Sequence, residues 1–147
     1  MPDDASSIAS VLQRSFIEYE SSYTKEAFAV TISTPEQIRE RIDEGPIWIA
    51  LQNGIIVGTV SAVAKGDALY IRSMAVDPMM RGGGSGSALL KCVEEFAVQE
   101  GFKCLFLSTT PFLTRAIRLY EKHGFRPNDD GPHDLFGTPL FTMVKTL

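Results

Sequence analysis

Residues 68–100, ALYIRSMAVDPMMRGGGSGSALLKCVEEFAVQE, read as a strand, break into a run of glycines, and resume with helical spacing. Such a stretch has one economical solution, a strand delivered through a tight turn into an amphipathic helix. The turn holds Gly82, Gly83, Gly84, Ser85 and Gly86, with Arg81 just before it and Ser87 just after. Glycines packed that densely between two ordered elements present main chain rather than side chain. Free N–H groups at the start of a helix, backed by the positive end of its dipole, make an anion site. The helix after the turn carries Leu89, Val93, Phe96 and Ala97 on one face and stops at Gly101.

The rest of the chain arranges itself around this unit. Ile8, Val11, Leu12, Phe16 and Tyr19 recur at helical spacing, which predicts a helix over residues 4–19 with Asp3 or Asp4 as its cap. Residues 21–33 are mixed in character and resist placement. Thr34-Pro35-Glu36-Gln37 is a helix start, with a threonine cap, proline at the first position and glutamine three residues after the cap. Gly45-Pro46 ends that helix. Two β-rich runs, 47–52 and 55–64, flank Asn53-Gly54, the strongest short hairpin signal, and Lys65-Gly66-Asp67 turns the chain into a third strand over 69–76. KCLFLST (103–109) is a nearly continuous apolar run, expected to be a strand covered on both faces. Residues 111–123 predict a helix with Leu113, Ala116, Ile117 and Tyr120 on one face and Gly124 as its C-cap. Residues 128–137 are turn-rich and polar, with His133 in a loop, and 140–145 can pair as a last strand. The order α, α, β, β, β, α, β, α, β predicts an α/β (α+β) chain, a mixed sheet with helices on its faces.

Composition narrows the function classes. The 147 residues fit a single domain over 1–147, with 44% hydrophobic and 22% charged residues. A net charge of −4 and a pI near 5.2 argue against a duplex-binding, nucleic-acid role. No apolar run reaches the roughly 18 residues of a membrane span, and MPDDASSIAS lacks the basic and apolar regions of a signal peptide. Cys92 and Cys104 are too few for a disulfide framework and are expected to be buried free thiols. A cytoplasmic location is the expectation.

Several readings of the glycine turn fail on its own residues. A flexible linker conflicts with the patterned elements on either side of it. A phosphate-binding P-loop needs Lys-Ser/Thr after the last glycine, where Ser87-Ala88 stands. A dinucleotide fingerprint puts its third glycine at Leu89 or Ser87, and a nucleophile elbow puts its last glycine at Ser87. The arrangement instead resembles the GNAT-type N-acetyltransferases. SMAVDP (73–78) followed by RGGGSG (81–86) matches that family's Arg/Gln-x-x-Gly-x-Gly/Ala turn at Arg81, Gly84 and Gly86. RAIRLYEKHGF (115–125) matches its second signature at Ala116, Leu119, Tyr120, Lys122, Gly124 and Phe125. The two motifs occur in the family's order, and the resemblance covers residues 4–146.

The resemblance implies a mostly antiparallel mixed sheet whose first strand is short or missing here, because the sequence starts at the first helix. An uncovered sheet edge would put edge pairing in a homodimer in play. It implies acetyl-CoA as co-substrate, with no metal, and transfer of its acetyl group to a primary amine by direct attack on the thioester. The pyrophosphate would lie on Arg81, Gly82, Gly83, Gly84, Ser85, Gly86 and Ser87. The pantetheine arm would pair with the main chain of Met74, Ala75 and Val76, one N–H of which would hold the thioester carbonyl. Tyr120 would be the general acid toward the departing thiolate; its helical spacing alone leaves core packing equally open. Thr114 stands where the family often has a cofactor-contacting Asn, and Tyr70 where some members carry a glutamate base. Glu18, Glu20 and Asp67 are the remaining carboxylate candidates for the base. His123, at a helix C-terminus where a cation is favoured, and His133 lack a third ligand for a metal. The acceptor, a small-molecule or peptide amine, is left open. So are protein N-acetylation and a non-catalytic acyl-CoA-binding module.

Overall fold

A computed structural model of the chain describes residues 4–80, 83–128 and 133–147. Helix α1 spans Ala5–Phe16, with Asp4 at its N-cap, and buries Ala5, Ile8, Val11, Leu12 and Ser15. The predicted stripe ends there. Residues Ile17–Ser22 wind into a tighter 3₁₀ segment, which swings Tyr19 off the α1 face and against Phe112. Helix α2 (Lys25–Ile32) occupies the stretch that the sequence did not place. Thr24 caps it, its Oγ1 accepting the Ala27 N–H at 3.2 Å. Helix α3 (Pro35–Glu44) begins as predicted, with a reciprocal capping box between Thr34 and Gln37.

Strands β1 (Ile47–Gln52), β2 (Ile55–Lys65) and β3 (Ala68–Val76) form an antiparallel meander, and the Asn53-Gly54 turn has positive φ at both residues. After helix α4 (Ser85–Gln99), strand β4 (Cys104–Thr109) lies parallel to β3. Helix α5 (Thr114–Lys122) leads into β5 (Arg126–Pro127), β6 (His133–Leu135) and β7 (Thr138–Thr146). The sheet runs β1-β2-β3-β4-β7-β5, with β6 pairing β7 off that path. Among the described residues only the β3–β4 pair is parallel. Among them, too, no strand precedes α1, so β1 forms an open edge.

Helices cover both faces. Helices α4 and α5 pack on Val60, Ala62, Leu69, Ile71, Leu105, Leu107 and Met143. Helix α1 and Ile38 of α3 pack on Ile56 and Ala75 from the other side. A third cluster, Tyr23, Ala27 and Phe28 with Tyr19, Phe112 and Leu135, joins α2 to the end of the sheet.

Four expectations need correction. β4 is sealed on one face only: Leu105 and Leu107 are buried, but Phe106 is half-buried against Tyr70 and Ser108 is exposed, because α1 and α3 reach only the meander half of the sheet. Helix α5 starts at Thr114, not at Pro111, since Leu113 has the non-helical ψ of 61° and its N–H closes a turn on Thr110. His133 belongs to strand β6 and not to a loop; the hairpin turns on Phe136-Gly137, where Phe136 adopts a φ of 48° that no sequence signal announces. Cys92 is exposed and Cys104 half-buried, because Cys92 falls on the outer side of α4 away from Leu89, Leu90, Val93 and Ala97.

Candidate active site

The site begins where two parallel strands separate. β3 and β4 pair at only three positions, Ala68 with Cys104, Leu69 with Leu105 and Tyr70 with Phe106, and then diverge. The β4-facing main chain of β3 beyond Tyr70 therefore has no strand partner. The Asp77 N–H donates to Val57 O at 2.7 Å, and Val76 lies opposite Gly58. By the alternation of an antiparallel ladder, the N–H and C=O of Val76, and of Met74 two residues earlier, point away from β2 into the opening.

Asp77 anchors the end of the strand. One of its carboxylate oxygens accepts from Arg14 Nε at 2.8 Å and the other from the Met79 N–H at 3.1 Å, while its carbonyl accepts from the Met80 N–H. The chain thus leaves β3 through a 3₁₀ turn (Pro78–Met80) tied to the end of α1. Gly84 is the N-cap of α4 with φ +85°, a left-handed conformation that suits glycine. Among the described residues no side chain caps that helix end, and the first-turn N–H groups of Ser85, Gly86 and Ser87 belong to residues lining a cavity. Gly86 also lets α5 come close: a Cβ there would stand 2.9 Å from Leu119 Cδ2.

The cavity has a volume of about 380 Å³, within the usual range for ligand pockets. Met74, Ala75 and Val76 form its floor and Gly84–Ser87 one end. Leu113, Ala116, Leu119 and Tyr120 form the α5 wall, and Ser15, Phe16 and Tyr19 the α1 side. Its charged lining residues, among those described, are Arg115 and Lys122, both cationic and both at exposed positions of α5. Tyr120 is 7% exposed and packs edge-on against Phe125. Burial, then the neighbouring Tyr23, pushes its hydroxyl well above the ordinary phenol value of 10.0, so it keeps its proton. His123 Nε2 lies 3.1 Å from Ser87 Oγ. Burial, and next Lys145, lower the His123 pKa, so the cation expected at this helix end is disfavoured.

The structure brings together Met74, Ala75, Val76, Gly84, Ser85, Gly86, Ser87 and Tyr120 around this one space. Gly83 adjoins it, its N–H donating to Met80 O. Arg81 and Gly82 lie outside the described residues. Thr114 is exposed at the start of α5 and is not part of the cavity wall, although Leu113 and Arg115 on either side of it are. Asp67 precedes β3 at the opposite end of the sheet, 3.8 Å from Lys103, so it is removed as a base. Tyr70 is stacked on Phe106 at the last paired position. Glu18 and Glu20 are exposed and flank Tyr19. Sequence analysis gives Phe16 and Tyr19 only a place on a helix face and Arg115 and Lys122 only a place in a motif, and assigns Ser15 nothing, whereas all five line the cavity. Arg115, Leu119 and Lys122 stand at i, i+4 and i+7 of one helix, a spacing that would have revealed a shared face.

Acetyl-CoA fits this cavity chemically: unpaired strand amides for an amide-rich arm, a helix N-terminus that no described side chain caps for phosphates, and a space beside Gly84 in which an added Cβ would meet no described atom within 4 Å. The fold is similar to that of the PaiA N-acetyltransferase from Thermoplasma acidophilum in complex with coenzyme A, with a TM-score of 0.82 and 17% identity over 99% of this chain and 94% of that one. It is similar as well to a GNAT family acetyltransferase from Elizabethkingia anophelis with acetyl-CoA bound, with a TM-score of 0.65 and 25% identity over 78% of this chain and 84% of that one. In sequence it is 33% identical over 102 residues to the N-acetylaspartate synthetase of Homo sapiens, matching 68% of this chain and 34% of that protein. The chain thus spans about a third of the length of that relative. Among the described residues no helix is long and apolar enough to cross a membrane, and no cluster of His, Cys, Asp and Glu could hold a metal. The acetyltransferase (GNAT) family model matches residues 7–125, and the chain belongs to that family.

Proposed function

We propose that the 147 residues act as one domain that transfers an acetyl group from acetyl-CoA to a primary amine by direct attack on the thioester. The observation that carries this reading is the parted β3–β4 pair, whose unpartnered amides run straight into a helix N-terminus that no described side chain caps. Acetyl-CoA supplies the activated acyl group. The first-turn N–H groups of α4, with Arg81 and the glycines from Gly82 to Gly84 before them, hold the pyrophosphate, and Arg115 and Lys122 at the mouth add charge-assisted contacts. Thr114 makes an outer contact beside them. Main-chain groups of Met74 and Val76 align the pantetheine arm, with Ala75 between them turned to β2 and lining the cavity. The outward N–H of Val76 or Met74 is the donor to the thioester oxygen as negative charge develops there, a contribution typically worth about 3 kcal/mol. Tyr120 holds a proton for the departing sulfur. Glu18 or Glu20 takes the amine proton through water. Unpaired Cys92 and Cys104 support a reducing, cytoplasmic setting.

Titration calorimetry with acetyl-CoA, followed by thiol release in the presence of amino acids, polyamines and short peptides, tests the reading. Saturable binding and amine-dependent thiol release are expected. Binding without release for any amine would leave an acyl-CoA-binding module, and absence of binding would overturn the assignment.

A further inference from the structure

Strand β3 changes phase along its length. Leu69 and Ile71 point into the α4–α5 core, as every second residue of a strand should. Beyond Ser73 the even-numbered Met74 and Val76 pack on that side, and odd-numbered Ala75 packs under α1. The switch is a bulge: Arg72 faces Ser61 and Ala75 faces Thr59, leaving Ser73 and Met74 opposite Val60. Ser73 carries it with φ +56°, a left-handed conformation without a glycine's freedom.

Something must hold it there, and α3 supplies the group. Arg41 Nη1 donates to Ser73 Oγ inside a crevice lined by Ile8, Leu12, Ile38, Ile47, Thr59 and Ser61. Arg41 is a poor choice for mere solubility. Burial and the neighbouring Arg72 both disfavour its charge, and Glu44, which favours it, is bonded to Arg72 at 2.8 Å. Ile38 is the only buried residue that α3 contributes among those described, so the Arg41 bond is a principal tie between that helix and the sheet.

We propose that Arg41 and Ser73 form a phase lock: the guanidinium pins Ser73 in the bulge, and the bulge keeps the amides of Met74 and Val76 facing the cavity. Were Ser73 to relax toward ordinary strand geometry, the residues after it would turn by half a repeat. Ala75 would then present its amide to the cavity, and Val76 would present its own to β2. Arg41 touches no reacting atom and is a positioning residue. Its catalytic consequence rests on the acetyltransferase reading; its effect on the strand does not.

The test combines Arg41→Met, which keeps apolar bulk but loses the donor, with Arg41→Met/Ser73→Gly. Amide hydrogen exchange of residues 74–76 is followed in the ligand-free protein, alongside kcat and KM for acetyl-CoA. Arg41→Met is expected to speed exchange about tenfold at the Ala75 amide, which the bulge keeps turned to Thr59, and to slow it at Val76, whose amide would turn to β2. It should lower kcat about tenfold while changing KM less than about threefold, because the amides are misaimed rather than removed. Ser73→Gly in the same chain should restore both, since glycine takes positive φ unaided. A general loosening of α3 would not be rescued in this way. Unchanged exchange in Arg41→Met, or loss that Ser73→Gly does not restore, overturns the lock. If Arg41→Met does not fold, Ser73→Ala breaks the same bond with α3 intact and is expected to show the same exchange. A wild-type chain that releases no thiol with any amine would sink the acetyltransferase reading, while the exchange and its rescue would still decide the lock.

Discussion

Replacing Tyr120 by Phe isolates one oxygen atom. The ring is 7% exposed and packs on Phe125 at a centroid distance of 5.9 Å, and Phe keeps that packing, so the fold should be retained. The hydroxyl is held protonated above the ordinary phenol value of 10.0 by burial. A thiol leaving group titrates near 8.5, so full proton transfer from the phenol to the thiolate would run uphill by more than about 2 kcal/mol. The hydroxyl must therefore act chiefly as a charge-assisted donor to the developing thiolate, worth about 1.5–3 kcal/mol. That corresponds to a fall in kcat of about ten- to a hundredfold, with acetyl-CoA affinity held within about threefold. Stopped-flow thiol release at saturating acetyl-CoA measures the first and calorimetry the second. The pH dependence supplies a second check. Because the folded pKa is raised, the proton and the stability linked to it are fully present below pH 10.0 and lost only as pH rises beyond it. Wild-type kcat should show no decline from Tyr120 ionisation up to pH 10.0. A kcat for Tyr120→Phe within twofold of wild type would remove the residue from the mechanism and leave it as core.

Gly84→Leu should strain the α4 N-cap by about 1–2 kcal/mol, since φ there is +85°. Gly84 lines the cavity and no described atom would deflect the new side chain, which should weaken acetyl-CoA binding by more than about a hundredfold, read by calorimetry. Alanine at Arg115 or Lys122 should raise the KM for acetyl-CoA about tenfold, leave kcat nearly unchanged and flatten its salt dependence in steady-state assays. His123 has a lowered folded pKa, so stability linked to its neutral form is present above pH 6.5 and is lost as pH falls through the folded value. His123→Gln should reduce the drop in melting temperature between about pH 7 and pH 5 relative to wild type.

What could be read in advance was local. The capping box of α3, the Asn53-Gly54 hairpin and the strand–turn–helix at the glycines each declare themselves within a few residues, because caps and primed turns need particular side chains at particular offsets. Helix α2 hid because KEAFAVTI has no clean apolar stripe: Ala27 and Phe28 are buried side by side, and the Thr24 cap stands alone as a signal. The bulge at Ser73 hid for the opposite reason. LYIRSMAV reads smoothly as a strand, and the change of phase is visible only when Ala75 is found under α1 and Ile71 under α4. The α1 side of the cavity could not be foreseen either. Phe16 and Tyr19 read as the tail of a core helix face, and only the 3₁₀ turn after Phe16 brings Tyr19 back to the opening.

The brevity of the β3–β4 pairing also bears on how the molecule holds together. Three matched residue pairs join a half-sheet of β1, β2 and β3 to another of β4, β7 and β5, and the gap beyond them is the cavity. On the proposed reading, a pantetheine arm lying along Met74–Val76 continues that seam in place of missing strand pairs. The co-substrate would then be a removable part of the architecture as well as a reagent. At about a hundred times its dissociation constant it would add about 2.7 kcal/mol to the stability of the sheet. Loading state and resistance to heat or proteolysis would then rise and fall together, so the same chain would be sturdy when acetyl-CoA is abundant and comparatively fragile when it is scarce.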